Sequence, residues 1–228
     1  TLLQAIARMP GTFRVRVGMI NPSGVTGYLD RLVRAYNNEK IFSFVHLPLQ
    51  SGSDPILSAM KRGYTVEEFF TIIEAFKAEF PDVSIATDMI AGFPGETPGD
   101  FAASVRAIER LRPRKVNITR YSRRPSCSSY DLHDLPDFVK KTRSRGLNNV
   151  SNRMYRLENA SWIGRVVPVI VTEQIRNGSV ISRTPCYRNV VVQETLPPGY
   201  AGFAVLREDH LHYFIGEMTD MPAREPIA

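Results

Sequence analysis

Cysteine is scarce in this sequence, with two residues in 228, Cys127 and Cys186. Neither has a second cysteine or a histidine at the spacing of a zinc or iron–sulfur site, so the chain carries no metal-binding motif of these kinds. A disulfide between the two is possible on paper. Two buried free thiols are the simpler expectation for a cytoplasmic protein.

Long apolar runs are missing too. No stretch approaches the roughly 20 apolar residues of a membrane span, and the first ten residues lack the charged-then-apolar order of a signal peptide. The sequence does not begin with Met, so we expect a piece of a longer protein. Its 43% hydrophobic and 23% charged residues are typical of a globular protein. The expected location is the cytoplasm.

The net charge of +6 is unevenly distributed. Residues 105–160 contain 14 lysines and arginines against 5 acidic residues, whereas residues 1–104 contain 9 against 11 and residues 161–228 contain 6 against 7. The middle segment therefore holds the whole positive excess. A phosphate-binding surface and a solvated basic helix both explain this excess, so charge alone leaves nucleic-acid binding open.

Four short apolar or β-branched runs predict strands in the first half of the chain: Phe13–Met19, Ile41–Leu49, Val83–Ile90 and Lys115–Tyr121. Amphipathic helices separate them. Such strand–helix units predict an α/β domain whose parallel strands are joined by right-handed crossovers, in an open sheet or a barrel.

Local signals mark the ends of these helices. Ser53-Asp54-Pro55 predicts a capped helix that ends near Gly63. Thr65 and Glu68 have the spacing of a capping box for a second helix, and Thr97-Pro98 predicts the start of a third.

The pattern changes after a basic helix predicted over residues 137–160. Five short strands follow without helices: Arg165–Thr172, Ser179–Thr184, Asn189–Gln193, Gly202–Arg207 and Leu211–Gly216. Asn177-Gly178 is a hairpin turn signal between the first two. We therefore predict a small closed antiparallel β-barrel over residues 161–228, joined by the helix to an α/β domain over residues 1–136.

Three loops at the predicted carboxyl ends of the parallel strands are rich in polar residues: His46–Asp54, Asp88–Thr97 and Tyr121–Pro125. Ligands of parallel α/β folds bind at this edge, so the loops are expected to line one site. Each loop also has an ordinary explanation. The first loop can simply be read as the capped start of a helix. In the second loop, Asp88 can serve as a structural partner for a neighbouring strand. In the third loop, the two arginines can be solvated surface residues.

The motifs HLPLQSGSD, MKRGY, TDMIAGFPGET and YSRRP, in this order, resemble signatures of the radical S-adenosylmethionine (SAM) methylthiotransferases. The stretch Ile41–Asp100 is most similar to archaeal and eukaryotic members that convert N6-threonylcarbamoyladenosine near the tRNA anticodon to its 2-methylthio derivative. The resemblance runs from about Arg14 to the C-terminus. It implies strands three to six of a six-stranded partial (β/α) barrel, followed by a TRAM-like RNA-binding β-barrel. The first two strands and an N-terminal cluster-binding domain are absent by this comparison.

The resemblance also implies which residues bind the cofactor SAM. They are Gln50, Ser51, Ser53, Arg62, Asp88, Ile90, Gly92, Glu96, Tyr121, Ser122 and Arg124. After Pro125 the family continues Gly-Thr, whereas this chain has Ser126-Cys127, so no role is assigned beyond Pro125.

For the expected tRNA partner, eight basic residues are candidates on the helix and the barrel. They are Lys140, Lys141, Arg143, Arg145, Arg165, Arg176, Arg183 and Arg188. The charge distribution predicts a larger contribution from the helix.

Members of the family hold two 4Fe–4S clusters, one of them on a CxxxCxxC motif. This chain lacks that motif, so we expect it to bind neither cluster and to be inactive by itself, as part of a tRNA-modifying enzyme. A non-catalytic RNA-binding protein on the same scaffold is an alternative, as is a methylthiotransferase with another substrate. An exposed barrel edge would allow self-association.

Overall fold

The computed structural model describes residues 1–125, 129–175 and 178–221. The helices are α1 (Leu2–Ala7), α2 (Leu29–Tyr36), α3 (Asp54–Ala59), α4 (Val66–Glu79), α5 (Pro98–Leu111) and α6 (Asp137–Ala160), with one 3₁₀ turn at Val25–Tyr28. The strands are β1 (Phe44–His46), β2 (Ser84–Ala91), β3 (Lys115–Arg120), β4 (Val166–Ile175), β5 (Ser179–Arg183), β6 (Asn189–Val192), β7 (Ala201–Asp209) and β8 (Phe214–Thr219).

The chain divides into two compact units. The sheet unit comprises Val17–Asn37 and Phe44–Tyr155, and the barrel unit comprises Thr1–Arg16, Asn38–Ser43 and Arg156–Ala228. The predicted fold class, a partial parallel α/β barrel followed by a closed five-stranded barrel, is confirmed. The observed division differs from the predicted ranges, because two N-terminal segments belong to the barrel unit.

The sheet unit is built on a parallel sheet in the order β1-β2-β3. The run Phe13–Met19, the first of the four predicted strands, does not form a strand of this sheet, so that prediction is wrong. It makes only isolated bridges, from Val15 to Ile41 and from Met19 to His46. The run alternates half-buried and exposed residues, so one of its faces packs and the other has no covering layer among the described residues.

Helix ends follow the local signals in part. The capping box of Thr65 and Glu68 is present at α4, and a second box closes the start of α5. Ser53 occupies the N-cap position of α3 and Pro55 lies in its first turn, as predicted, but the Ser53 hydroxyl makes no capping hydrogen bond to the helix. That helix also ends before Gly63, and the left-handed residue after it is Lys61, with φ 55°.

The barrel unit closes in the order β4-β5-β6-β8-β7, with β7 returning to β4. Its strands were expected to be antiparallel throughout, but β6 and β8 pair in parallel. After β6 the chain does not return as a hairpin. Instead β7 pairs with β4, and β8 lies between β6 and β7 and closes the barrel. Alternate residues of the strands fill the barrel with Val167, Val169, Val171, Val180, Val190, Val192, Ala204, Leu206 and Phe214.

Cys186 is a buried free thiol in this core, as expected. Cys127 lies outside the described residues, as does Asn177 of the predicted hairpin turn. Gly178, which follows it, has φ 71°, a conformation that suits glycine.

Candidate functional site

A cavity of about 390 Å³ opens at the carboxyl ends of β2 and β3 in the sheet unit. Five of the predicted SAM-binding residues line it: Arg62, Ile90, Tyr121, Ser122 and Arg124. The other lining residues are Ala59, Met60, Phe93, Thr119, Arg120 and Ser129. Two of the three predicted loops, those after β2 and β3, therefore reach this cavity, and the third part of its lining follows α3. Phe93 and Arg120 were not among the predicted site residues.

The cavity has an apolar and aromatic wall. The ring of Phe93 packs edge-on against Tyr121, with 5.2 Å between ring centroids. Tyr121 is fixed at both ends, because its backbone N–H donates to the carbonyl of Ala91 at 2.9 Å and its hydroxyl donates to the carbonyl of Ser129 at 3.1 Å. Such a wall suits a flat, weakly polar group such as a purine ring.

The rest of the lining is strongly basic. Arg62, Arg120 and Arg124 are exposed at the cavity, and none of them forms an ion pair with any residue that the structure describes. Among the residues that the structure describes, the lining includes no carboxylate. An anionic group in this cavity therefore meets only positive charge.

The loop from Gln50 to Ser53 supports the cavity without lining it. Gln50 adopts φ 69° and pairs with β2, accepting the N–H of Ile90 at 2.9 Å and donating to the carbonyl of Asp88 at 2.8 Å. This pairing fixes Ile90 in the wall. The predicted contact of Gln50 with SAM stays a prediction.

The two serines of this loop are buried against α5. Ser53 Oγ donates to Asp100 Oδ1 at 2.5 Å, and Ser51 Oγ lies 3.4 Å from Ser104 Oγ. Gly52 fits there because a side chain would overlap the carbonyl of Ala103. Both predicted SAM contacts stay predictions, while the structure shows the two hydroxyls holding the loop to the helix.

Asp88 belongs to a polar row that crosses the sheet. His46 Nε2 lies 3.1 Å from both carboxylate oxygens, and Asn117 Nδ2 donates to Asp88 Oδ1 at 2.7 Å. Ile90, two residues further along β2, points to the same face of the sheet and lines the cavity. The row therefore lies next to the cavity wall. Its members His46 and Asn117 went unrecognised. Asn117 is the register partner of Asp88 on β3, whereas His46 on β1 pairs with Ala86, two residues before Asp88 on the same face of β2.

A buried tyrosine lies near this row. Tyr64 donates its hydroxyl to the carbonyl of Pro48 at 2.9 Å. Burial raises the pKa of Tyr64 to about 12; Arg62 opposes the rise and Asp88 adds to it.

Glu96 forms a buried ion pair with Arg143 of α6. Arg143 Nη1 donates to Glu96 Oε2 at 2.6 Å and to the Glu96 carbonyl at 2.8 Å. The backbone N–H of Gly92 donates to the same carboxylate at 3.0 Å. Burial raises the pKa of Glu96, and the hydrogen bond from Arg143 opposes this rise.

Gly92 itself is required by this packing. It adopts φ 76°, and a side chain there would collide with Lys140 of α6. Gly92 was predicted to be one of the SAM-binding residues, and that contact stays a prediction. The structure fills the space beside Gly92 with a lysine side chain, so Gly92 and Glu96 together lock the loop after β2 onto α6.

Comparisons with known proteins find similar chains. Residues 3–108 match the family model described as the Radical SAM superfamily. A probable threonylcarbamoyladenosine tRNA methylthiotransferase from Archaeoglobus fulgidus is 41% identical over 218 residues, which covers 96% of this chain and 51% of that protein. Over nearly its whole length, the chain is thus similar to radical SAM methylthiotransferases. The resemblance drawn from its motifs is confirmed.

A second relative is named for a different product. A tRNA-2-methylthio-N(6)-dimethylallyladenosine synthase from Ralstonia nicotianae is 37% identical over 223 residues, covering 96% of this chain and 46% of that protein. Among solved structures, coproporphyrinogen III oxidase from Escherichia coli, a radical SAM enzyme, has a TM-score of 0.52 at 12% identity, covering 89% of this chain and 50% of that one. The chain spans about half the length of the curated relatives it matches.

The residues present fit one of the family's two cofactors. The cavity joins an aromatic wall to unpaired arginines, which suits the adenine ring and the carboxylate of SAM. A 4Fe–4S cluster does not fit. Among the described residues no group of three or more His, Cys, Asp or Glu side chains can hold a metal, and Cys186 lies in the barrel core.

The predicted RNA-binding residues of α6 are of two kinds, exposed and buried. Lys141 and Arg145 are exposed. Lys140 is buried and paired with Asp134 at 2.9 Å, and Arg143 is buried against Glu96. The segment's charge excess therefore overstates the charge available to a partner.

The barrel residues differ in the same way. Arg165 is exposed over the ring of Trp162, and Arg183 is half-buried beside Glu173. Arg188 is 2% exposed and lies in the barrel core, so its guanidinium is not accessible to RNA. Arg176 lies outside the described residues.

Across the part of the chain that the structure describes, no helix is both long enough and apolar enough to cross a bilayer.

Proposed function

We propose that this chain is the SAM-binding and RNA-binding part of a cytoplasmic tRNA methylthiotransferase that modifies N6-threonylcarbamoyladenosine beside the anticodon. The observation that carries the proposal is the cavity that motif residues on β2, after β3 and after α3 line together. The name of the Archaeoglobus fulgidus relative supports the substrate. The Ralstonia nicotianae relative keeps a second substrate, a dimethylallyladenosine, as the competing choice.

In this proposal different cavity residues bind different parts of SAM. Phe93, Ile90 and Tyr121 enclose the adenine ring, and Arg62 holds the methionyl carboxylate with two parallel N–H bonds. Ser122 and Arg124 supply further donors at the rim. When bound beside an iron–sulfur cluster, SAM supplies the radical chemistry of this superfamily.

The remaining predicted residues act on the cavity from outside. Asp88 and Gln50 position β2, and Ser51, Ser53, Gly92 and Glu96 hold the two flanking loops on α5 and α6. Cluster ligands are lacking among the residues of this chain, so we propose that the chain alone binds SAM weakly and does not cleave it. A non-catalytic RNA binder would have no use for the aromatic cavity.

Arg62→Gln should lower the affinity for SAM roughly tenfold, because a charged hydrogen-bonding partner of the carboxylate is removed. It should leave the affinity for 5′-methylthioadenosine unchanged, since that nucleoside lacks the carboxylate. Calorimetry and ligand-observed NMR measure both. Arg31→Gln is the matched control, because Arg31 is an exposed arginine of the same unit that does not line the cavity.

Two outcomes contradict this assignment. Equal losses for both ligands in Arg62→Gln would remove Arg62 from the carboxylate. Absence of any nucleoside binding by the parent chain would remove SAM from the cavity and favour the RNA-binding alternative. Separately, micromolar or tighter binding of SAM by the parent chain would contradict the proposal that the chain alone binds SAM weakly.

For tRNA, the pair Lys141→Gln and Arg145→Gln should flatten the dependence of log affinity on log salt by roughly 1.4 to 1.8, the value for two lost phosphate contacts. Both side chains are exposed, and neither is ion-paired among the described residues. The measurement is fluorescence anisotropy of one labelled tRNA across a salt series.

The matched comparison removes two positive charges from the barrel, Arg165→Gln with Arg183→Gln. These should flatten the slope less, because Arg183 is already paired with Glu173. The prediction fails if the barrel pair has the larger effect and the helix pair leaves the slope unchanged.

A further inference from the structure

The cavity carries more positive charge than SAM alone requires. SAM has one carboxylate against two positive groups, its ammonium and its sulfonium. The lining presents three arginines without a carboxylate, and none of the three is ion-paired within the described part of the chain. One arginine is enough to pair with the SAM carboxylate. The other two arginines would then lie beside the positively charged groups of SAM without an anionic partner.

Arg120 is the arginine with no other explanation. It is the last residue of β3, it is exposed, and it pairs through its backbone with Ala91, where β2 ends. It therefore lies at the mouth of the cavity. Structural arginines of this unit look different: Arg110 is held by Glu67 and Glu74, and Arg143 is held by Glu96.

A phosphate of the RNA substrate supplies the missing anion. An enzyme that modifies a base takes the nucleotide out of the stack, and a base placed beside SAM brings its own sugar-phosphate to the mouth of the cavity. The planar guanidinium of arginine matches two oxygens of a phosphodiester. The phosphate also offsets the net positive charge of SAM and the arginines together.

We propose that Arg120 binds a backbone phosphate next to the nucleotide being modified. This rests on the proposed function, because it assumes that RNA enters the cavity that holds SAM. The group recognised is a phosphodiester of single-stranded RNA.

The test compares Arg120→Gln with Arg31→Gln and with Arg120→Lys, using a fluorescein-labelled anticodon stem-loop RNA in the presence of SAM. Arg120→Gln should weaken RNA binding roughly tenfold and flatten the salt slope by about 0.7 to 0.9, the value for one phosphate contact. Arg120→Lys should keep the slope and lose part of the affinity, because lysine retains the charge without the fork. Affinity for SAM in the absence of RNA should stay within about twofold in both.

Three results would overturn the proposal. One is an effect of Arg120→Gln no larger than that of Arg31→Gln. Another is a loss of SAM affinity in Arg120→Gln as large as in Arg62→Gln, which would assign Arg120 to the cofactor. The third is Arg120-dependent binding of inorganic phosphate at matched ionic strength without any effect on RNA, which would make the site one for a free anion.

Failure here is separable from failure of the proposed function. If the parent chain does not bind SAM, the cofactor assignment is contradicted, whatever the RNA affinities are. If Arg62→Gln loses SAM affinity as expected and Arg120→Gln leaves the affinity for RNA unchanged, only the phosphate site is contradicted. Circular dichroism of each variant confirms that the exposed substitution leaves the fold intact.

Discussion

Replacing Arg143 with Met is expected to lower the free energy of unfolding of the sheet unit by about 3–5 kcal/mol, because it leaves the Glu96 carboxylate buried without its cation. The Glu96 side chain is 1% exposed, and Arg143 gives it a hydrogen bond of 2.6 Å. Burial already raises the pKa of Glu96 against the opposing effect of Arg143. Without Arg143, the carboxylate keeps one donor, the N–H of Gly92.

Urea denaturation followed by far-ultraviolet circular dichroism is the appropriate measurement, since most helical residues belong to this unit. Arg145→Met is the matched control, because Arg145 lies on the same helix but is exposed; its effect should stay within about 0.5 kcal/mol. Adding Glu96→Gln to Arg143→Met should restore part of the loss, because a neutral amide costs less to bury than a carboxylate. An Arg143→Met protein as stable as the Arg145→Met control would refute the buried pair.

The elements that could be predicted are those set by residues close together in sequence. The capping box of Thr65 and Glu68 closes within one turn of α4, and its partners are fixed by spacing alone. The stripe of Phe69, Ile72, Ile73 and Phe76 is likewise local, and all four are buried. For the same reason the three polar loops could be assigned to one edge of the sheet.

What could not be predicted depends on contacts between distant segments. Lys140 and Lys141 are adjacent and chemically identical, yet one is buried beside Asp134 and the other is exposed. Only the packing of α6 on the loop after β2 distinguishes them. A charge count treats both as surface residues, so it cannot separate a phosphate-binding cation from a structural one.

Strand direction in the barrel was missed for a related reason. A run of short strands with turn signals predicts antiparallel neighbours, because consecutive strands usually pair. Here β6 and β7 do not pair, and β8 lies between them. The loop between β6 and β7 is rich in proline and glycine, as an ordinary hairpin loop would be, so its composition does not reveal which strand comes next to it.

Arg188 was expected to bind RNA, and the structure predicts a different result for its substitution. Its guanidinium lies 4.1 Å from the ring centroid of Trp162, and its Nη2 donates to Glu158 Oε1 at 2.9 Å. Arg188→Ala should lower the free energy of unfolding of the barrel unit by about 3–5 kcal/mol, because it empties a fully enclosed volume and removes the cation from the indole ring.

The fluorescence of Trp162 reports this loss, since it is the single tryptophan of the chain and lies in the barrel core. Arg188→Met should cost less than about 2 kcal/mol, because methionine fills much of the same volume and Glu158, whose side chain is 34% exposed, can be hydrated. The Nε of Arg188 is buried without a hydrogen-bond partner among the described residues, so methionine also removes an unsatisfied donor. Folded Arg188→Met should then bind tRNA within about twofold of the parent, because no phosphate contact is lost. A tenfold loss of tRNA affinity with unchanged tryptophan fluorescence would instead return Arg188 to the RNA-binding surface.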